Sequence, residues 1–250
     1  VISNIFEVTD DQSISNIKSS LLADNKGKDE SSMEEFHNIF RSLFGIDDIK
    51  VGVSIYNQDE GTFSKVYGSG VSSFLLGANL ESEKCSDALC GWSYNKLINE
   101  YKYVTLSNVD GVLAKAGHCA PQISSLHEQG VKSAILAPIA NDNELMGVLE
   151  IVSQKPFVLN SINANKLIDV MPYIVSSVER AKTEEENLIE AIIQKECTSI
   201  HSSVKWRFAK EAKEFIISEM NGLEPSFKPL VFDKVYPLYG QIDIKGSSEA

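Results

Sequence analysis

Residues 131–153 read VKSAILAPIANDNELMGVLEIVS, and this stretch decides the fold. Ser133 to Ile139 and Leu145 to Ser153 are apolar, β-branched-rich runs. Asn141, Asp142 and Asn143 between them are turn formers, so the stretch predicts an antiparallel hairpin. A second hairpin lies upstream. From Lys50 apolar residues recur at every second position, at Val51, Val53 and Ile55; the pattern resumes at Phe63, Val66 and Tyr67 after a turn holding Asp59, Glu60 and Gly61.

Helical spacing fills the chain on either side. Met33, Phe36, Ile39, Phe40, Leu43 and Phe44 fall at i, i+3, i+4 intervals behind a capping-box signature, Ser32 with Glu35, and Gly45 suits the C-terminal cap. Between the hairpins, Gly68 to Gly91 reads as irregular, Trp92 to Tyr101 as helical, Tyr103 to Val109 as a strand and Asp110 to Ala120 as a loop. A short helix then opens at Pro121 and ends before Gly130. Residues 13–22 also carry helical spacing, followed by a polar linker to Glu30.

After Pro156, Leu167, Met171, Ile174, Val178 and Ala181 step by four and three, a heptad seam that Leu188 and Ile192 continue with Glu185 between them. So narrow a stripe predicts a partner helix. A last helix is marked by Ile200, Val204, Phe208, Ala212, Phe215 and Ile216. Residues 223–250, with Pro225, Pro229 and Pro237, read as an extended tail with one strand at Leu230 to Phe232. The expected division is therefore 1–30 helix and linker, 31–180 main domain, 181–222 helical connector and 223–250 tail, a piece of a longer signalling chain.

Charge narrows the partners. The 250 residues carry 23 Lys and Arg against 35 Asp and Glu, a formal net charge of −12, which disfavours nucleic acid and anionic membrane. The three arginines are Arg41, Arg180 and Arg207, so nothing bound within 49–156 is held by a guanidinium fork. Four cysteines, with no CxxC pair, suit reduced thiols and a cytoplasmic setting rather than a disulfide scaffold. No apolar run long enough to insert in a membrane occurs.

The order hairpin, loop, helix, strand, loop, short helix, hairpin, long helix, together with Ala137-Pro138-Ile139 and Gly147-Val148-Leu149-Glu150-Ile151, resembles the GAF family of sensory domains. The resemblance implies an α+β fold, a central antiparallel sheet with helices packed on one face and long C-terminal helices. It also implies a ligand-sized cavity on the other face, roofed by Gly68 to Gly91 and Asp110 to Ala120. Its function would be small-molecule or redox sensing without catalysis. The chain would be a homodimer joined through helices within 164–220, with the coiled coil passing on the state of the cavity.

Candidate ligand-binding residues on that roof are Phe74, Cys90, Trp92, Tyr94, His118 and Cys119; no residue is assigned as catalytic, none as a metal ligand, and no cofactor is identified. Cyclic-nucleotide members carry Asn-Lys with a later Phe and Asp-Glu, and only Asn95-Lys96 is present here; the Asp-Ile-Pro of bilin-binding members is absent. Free methionine sulfoxide reductases are the enzymatic alternative. Cys85, Cys90 and Cys119 lie on the roof, and Gly117-His118-Cys119 is similar to that family's approach to its catalytic cysteine, with a shorter His-to-Cys spacing and no following acid. Zinc or iron on Cys85, Cys90, His118 and Cys119 has suitable ligand types but poor spacing. His201 lacks the following acid of a phosphoacceptor histidine. A third reading is an interaction module whose cavity has collapsed.

Overall fold

The hairpin read from residues 131–153 forms the middle of the protein. In the computed structural model, which describes residues 30–65, 72–77, 82–116, 121–141, 144–196, 204–220, 226, 227 and 230, β5 (Ser133–Ala140) and β6 (Leu145–Ser153) pair antiparallel from Ser133 opposite Ser153 to Ile139 opposite Gly147. The first hairpin, β1 (Lys50–Asn57) and β2 (Thr62–Lys65), joins it through β1 against β6. Adding β3 (Ser82–Lys84) and β4 (Val104–Leu106) gives six antiparallel strands in the order β3-β2-β1-β6-β5-β4. The fold class is α+β.

Both faces of the sheet are covered, which is why β5 and β6 are buried almost throughout and show no polar alternation. On one face α1 (Glu30–Phe44), α6 (Ser161–Ala164) and the start of α7 (Met171–Glu196) enclose Phe40, Leu43, Val51, Ile135, Leu149, Ile151, Leu167 and Ile174. Arg41 binds the carbonyl of Ile49, and Gly45, at φ +68°, turns the chain out of α1 so that its N–H reaches the Arg41 carbonyl at 2.8 Å. The other face is roofed by segment 72–77, α2 (Cys85–Ala88), α3 (Gly91–Tyr94) with a wider turn through Asn95–Asn99, α4 (Val109–Ala116) and α5 (Pro121–Glu128).

Several expectations are corrected. Helix α1 already includes Glu30 and Ser31, so Ser32 lies inside it and not at its cap. The supposed loop at 110–120 is helical to Ala116: Asn108 caps it by accepting the Gly111 N–H at 3.0 Å, outweighing the glycine. The stretch 68–91 contains β3 and α2, and the strand expected over Tyr103 to Val109 keeps only three residues. The helix expected over 13–22, Val66, Tyr67, Asp142, Asn143, Ile200, His201 and the strand at 230–232 apart from Leu230 lie outside the described residues.

The heptad seam is also reassigned. Leu167, Met171 and Ile174 are buried in the core of their own domain, and Ile189, Ile192 and Ile193 pack with Phe208, Ala212 and Phe215 of α8 (Lys205–Met220). At Ile192 the seam is covered by α8 of the same chain. Between these contacts all residues from Ala181 to Leu188 are exposed. The chain forms two compact units, Val1–Glu185 and Glu186–Ala250, and each has its own core. Among the described residues no helix is long and apolar enough to cross a membrane.

Candidate functional site

Polar chemistry on the roofed face gathers in two places joined by α5. The first surrounds Cys90. This residue precedes α3, and its Sγ accepts the Ser93 N–H at 3.5 Å. Gln122, buried on α5, closes a ring: its Oε1 accepts the Cys90 N–H at 2.7 Å, while its Nε2 donates to Cys90 Sγ at 3.1 Å and to Ser93 Oγ at 2.9 Å. The thiol also contacts Ser93 Oγ at 3.3 Å. Burial pushes the Cys90 thiol up, but the hydrogen bonds from Ser93, Gln122 and the backbone together outweigh it and leave its pKa below the ordinary thiol value.

Cys85, five residues earlier, is the opposite case. It is 1% exposed, and burial pushes its thiol up to about 12. Two cysteines on one roof thus have thiols shifted in opposite directions, because one is held by donors and the other is buried in the apolar cluster of that face. Both are free thiols.

The second place is Glu150, in the middle of β6. Its side chain points to the roofed face, where β1 carries Gly52 opposite it. A methyl group at Gly52 would meet the Ser72 carbonyl at 2.6 Å and the Phe74 ring at 2.9 Å, so the missing side chain lets segment 72–77 settle onto the sheet. There Val53 N–H reaches the Ser72 carbonyl at 3.0 Å. Glu150 Oε2 accepts the N–H groups of Phe74 at 2.5 Å and Leu75 at 3.0 Å; Oε1 accepts from Ser73 Oγ at 3.1 Å and from Ser54 Oγ. Burial drives the carboxyl up to about 7 against the pull of these four donors. Above the segment, the Phe74 carbonyl accepts from Ser125 Oγ at 2.9 Å and Gln129 Nε2 at 2.7 Å. One helix therefore carries both Gln122 at the thiol and Ser125 at Phe74, with Gln129 in the turn that follows it.

Of the residues expected at the site, Phe74, Cys90 and Tyr94 pack together against the roofed core. Trp92 is 59% exposed, on the outer side of α3, and His118 and Cys119 lie outside the described residues. The ligand-sized cavity implied by the resemblance is filled in its described part by Phe63, Leu75, Leu89, Leu97, Ile123 and Leu136, all 2% exposed or less. A crevice beside Phe74, lined also by Asp48, Lys50, Gln129 and Val152, has a volume of about 30 Å³, room for about one water molecule. Among the described residues no three His, Cys, Asp or Glu side chains converge as metal ligands do.

The reading of residues one by one missed Glu150, Ser54, Ser73 and Gln122. A signal existed for Glu150: a carboxylate flanked by Val148, Leu149, Ile151 and Val152 is buried whichever face it occupies. Nothing local pointed the two serines or the glutamine to this site, because the side-chain partners that place them there lie 19 to 96 residues away in the chain.

No family model and no curated protein matches the chain. Solved structures do resemble it. The free methionine-R-sulfoxide reductase of Neisseria meningitidis, in complex with its substrate, is 16% identical over 70% of this chain and 91% of its own, with a TM-score of 0.47. The GAF domain of an Acinetobacter phosphoenolpyruvate-protein phosphotransferase is 13% identical over 69% and 93%, at 0.46. The phycoerythrobilin-bound GAF domain of a cyanobacterial phytochrome is 13% identical over 71% and 98%, at 0.49. Likeness at this level carries no assignment of chemistry.

Proposed function

We propose that the chain is a GAF-type sensory or regulatory domain, non-catalytic, that responds to a small molecule or to thiol redox state on its roofed face. The observation that carries this reading is the continuity of α7. At Met171 and Ile174 the helix is packed under the sheet, and at Ile189, Ile192 and Ile193 it is packed on α8. An unbroken helix that belongs to two cores is a means of passing a change in one to the other. Ala181 and Leu188 of the seam are exposed, so the reading keeps the expected homodimer as part of the proposal.

The reductase alternative needs a reactive thiol and a second thiol able to resolve it. Cys90 has the properties of the first, whereas Cys85, sealed from solvent and pushed to about 12, does not have those of the second. Two measurements on the full chain test the reading together. Oxidation or alkylation of Cys90, or binding of a small molecule found by thermal shift, is expected to change hydrogen exchange along α7, with no reductant consumed on free methionine sulfoxide. Turnover that is lost on Cys90→Ser or Cys119→Ser establishes the enzyme instead. A chain with neither turnover, ligand nor response to Cys90 modification is the plain interaction module.

A further inference from the structure

Glu150 stands opposite Gly52 on β1 and Leu136 on β5, and its surface is wholly buried. All four of its partners are uncharged: two hydroxyls on Oε1 and two backbone N–H groups on Oε2. Charged and titratable groups on the surrounding elements are engaged elsewhere or lie at the margin. Asp48 accepts from Ser153 Oγ and the Gln154 N–H. Lys50 lines the crevice beside Phe74, His127 on α5 faces Asp110 at 3.3 Å, and Lys65 sits across the strand pair from Ser54. The partners described for Glu150 are thus two serine hydroxyls and two backbone N–H groups, and among the described residues no charged group is recorded on its carboxyl.

We propose that Glu150 is a proton-binding site that latches segment 72–77: the neutral acid holds the segment on the sheet, and release of the proton to water favours opening. The proposal does not rest on the sensory reading. In the neutral acid the proton sits on Oε1, since only the serine hydroxyls can accept it; the N–H groups at Oε2 are donors. Oε2 remains a carbonyl-type acceptor for Phe74 and Leu75, and every buried partner stays satisfied. Ionisation keeps the same contacts but places an uncompensated charge in a dry site. Segment 72–77 supplies three of the four donors, so opening it exchanges those contacts for water at the charge.

Burial is the reason the closed carboxyl titrates at about 7 rather than at the 4.5 of a solvated glutamate. The closed form therefore binds the proton more tightly, acid favours closure, and the open-to-closed ratio rises with pH between those two values. Its limit is about 300-fold, ten raised to the difference between them.

Hydrogen exchange of the intact chain tests this, with each rate divided by the intrinsic rate of the unstructured sequence at the same pH. Protection at Phe74 and Leu75 is expected to fall at least tenfold between pH 5 and pH 7.5 while that of β5 and β6 holds. In Glu150→Gln the protection is expected to be the same at both pH values. Equal protection in the parent at both pH values overturns the latch, as does an undiminished fall in Glu150→Gln. If that variant does not fold, Ser54→Ala replaces it: losing one donor to the charged form moves the midpoint to higher pH, and an unmoved midpoint overturns the proposal.

Discussion

The two faces of the sheet are built on different principles. Under α1 and α7 the contacts are apolar side chains at regular spacing, such as Phe40, Leu43, Leu149, Ile151 and Ile174, with polar bonds at the edges. Under the roof an apolar floor is interrupted by two polar groups, a buried carboxylate tied to Ser54 and Ser73 and a glutamine tied to a thiol and Ser93. The difference teaches where each face is replaceable. An apolar face fails in proportion to the volume removed, whereas a polar cluster fails by leaving a partner unsatisfied, and its behaviour depends on pH.

The largest expected effect belongs to the apolar face. Phe40, fully buried and stacked edge-on with Phe36 at 5.0 Å, is expected to lose about 3 to 5 kcal/mol on Phe40→Ala. Urea unfolding measures it. A loss below about 1 kcal/mol would show that α1 is not part of the cooperative core and would erase the contrast between the faces.

Next comes the pH dependence that only the roofed face supplies. Glu150 has a folded pKa of about 7, above its value of 4.5 when solvated. The folded chain therefore holds a proton between these values that the unfolded chain has lost, so the contribution of Glu150 to stability is greatest in acid and falls as pH rises, by about 1.4 kcal/mol per pH unit and about 3 kcal/mol in all. The comparison is the parent minus Glu150→Gln in urea at pH 5 and pH 7.5, which removes the contribution of other groups. A difference that is flat, or that grows with pH, contradicts the sign.

Gly52→Ala is expected to cost about 1 to 3 kcal/mol, because the added methyl meets the Ser72 carbonyl at 2.6 Å and the backbone there cannot step aside without losing its bond to Val53. Exchange protection should drop in residues 72–77 and persist in β5 and β6. An equal drop in both would mean that segment and sheet unfold as one.

The same contrast explains what was legible in the sequence. Periodicity is a local property, and it found both hairpins, α1 with Gly45 behind it, and α5 between Pro121 and Gly130, all on elements whose apolar spacing is set within one element. It also found the seam of α7, although spacing alone does not say which chain covers it: Leu167 and Ile174 are covered by the sheet, and Ile192 by α8. The polar groups were not legible because Ser54, Ser73 and Glu150, like Gln122 and Cys90, come from separate segments, and only folding makes each set neighbours. Trp92 shows the reverse error, an aromatic residue beside the right element whose side chain faces solvent.

The smallest effect concerns the thiol. Cys90 and Cys85 differ because donors surround one and hydrocarbon the other, so alkylation by iodoacetamide at pH 7.5, followed by peptide mass spectrometry, should mark Cys90 and leave Cys85 untouched in the folded chain. Ser93→Ala then removes one hydroxyl from the ring while Gln122 remains. A hydrogen bond of that kind contributes about 0.5 to 1.5 kcal/mol to the thiolate, so the Cys90 pKa should rise and its alkylation slow by about two- to tenfold. With Gln122→Leu the loss should exceed that, since Cys90 forfeits the Nε2 donor at Sγ and the Oε1 acceptor at its N–H together. Alkylation that is equally fast in the parent and both variants would mean that exposure alone governs Cys90, and that the polar ring only braces α3 against α5.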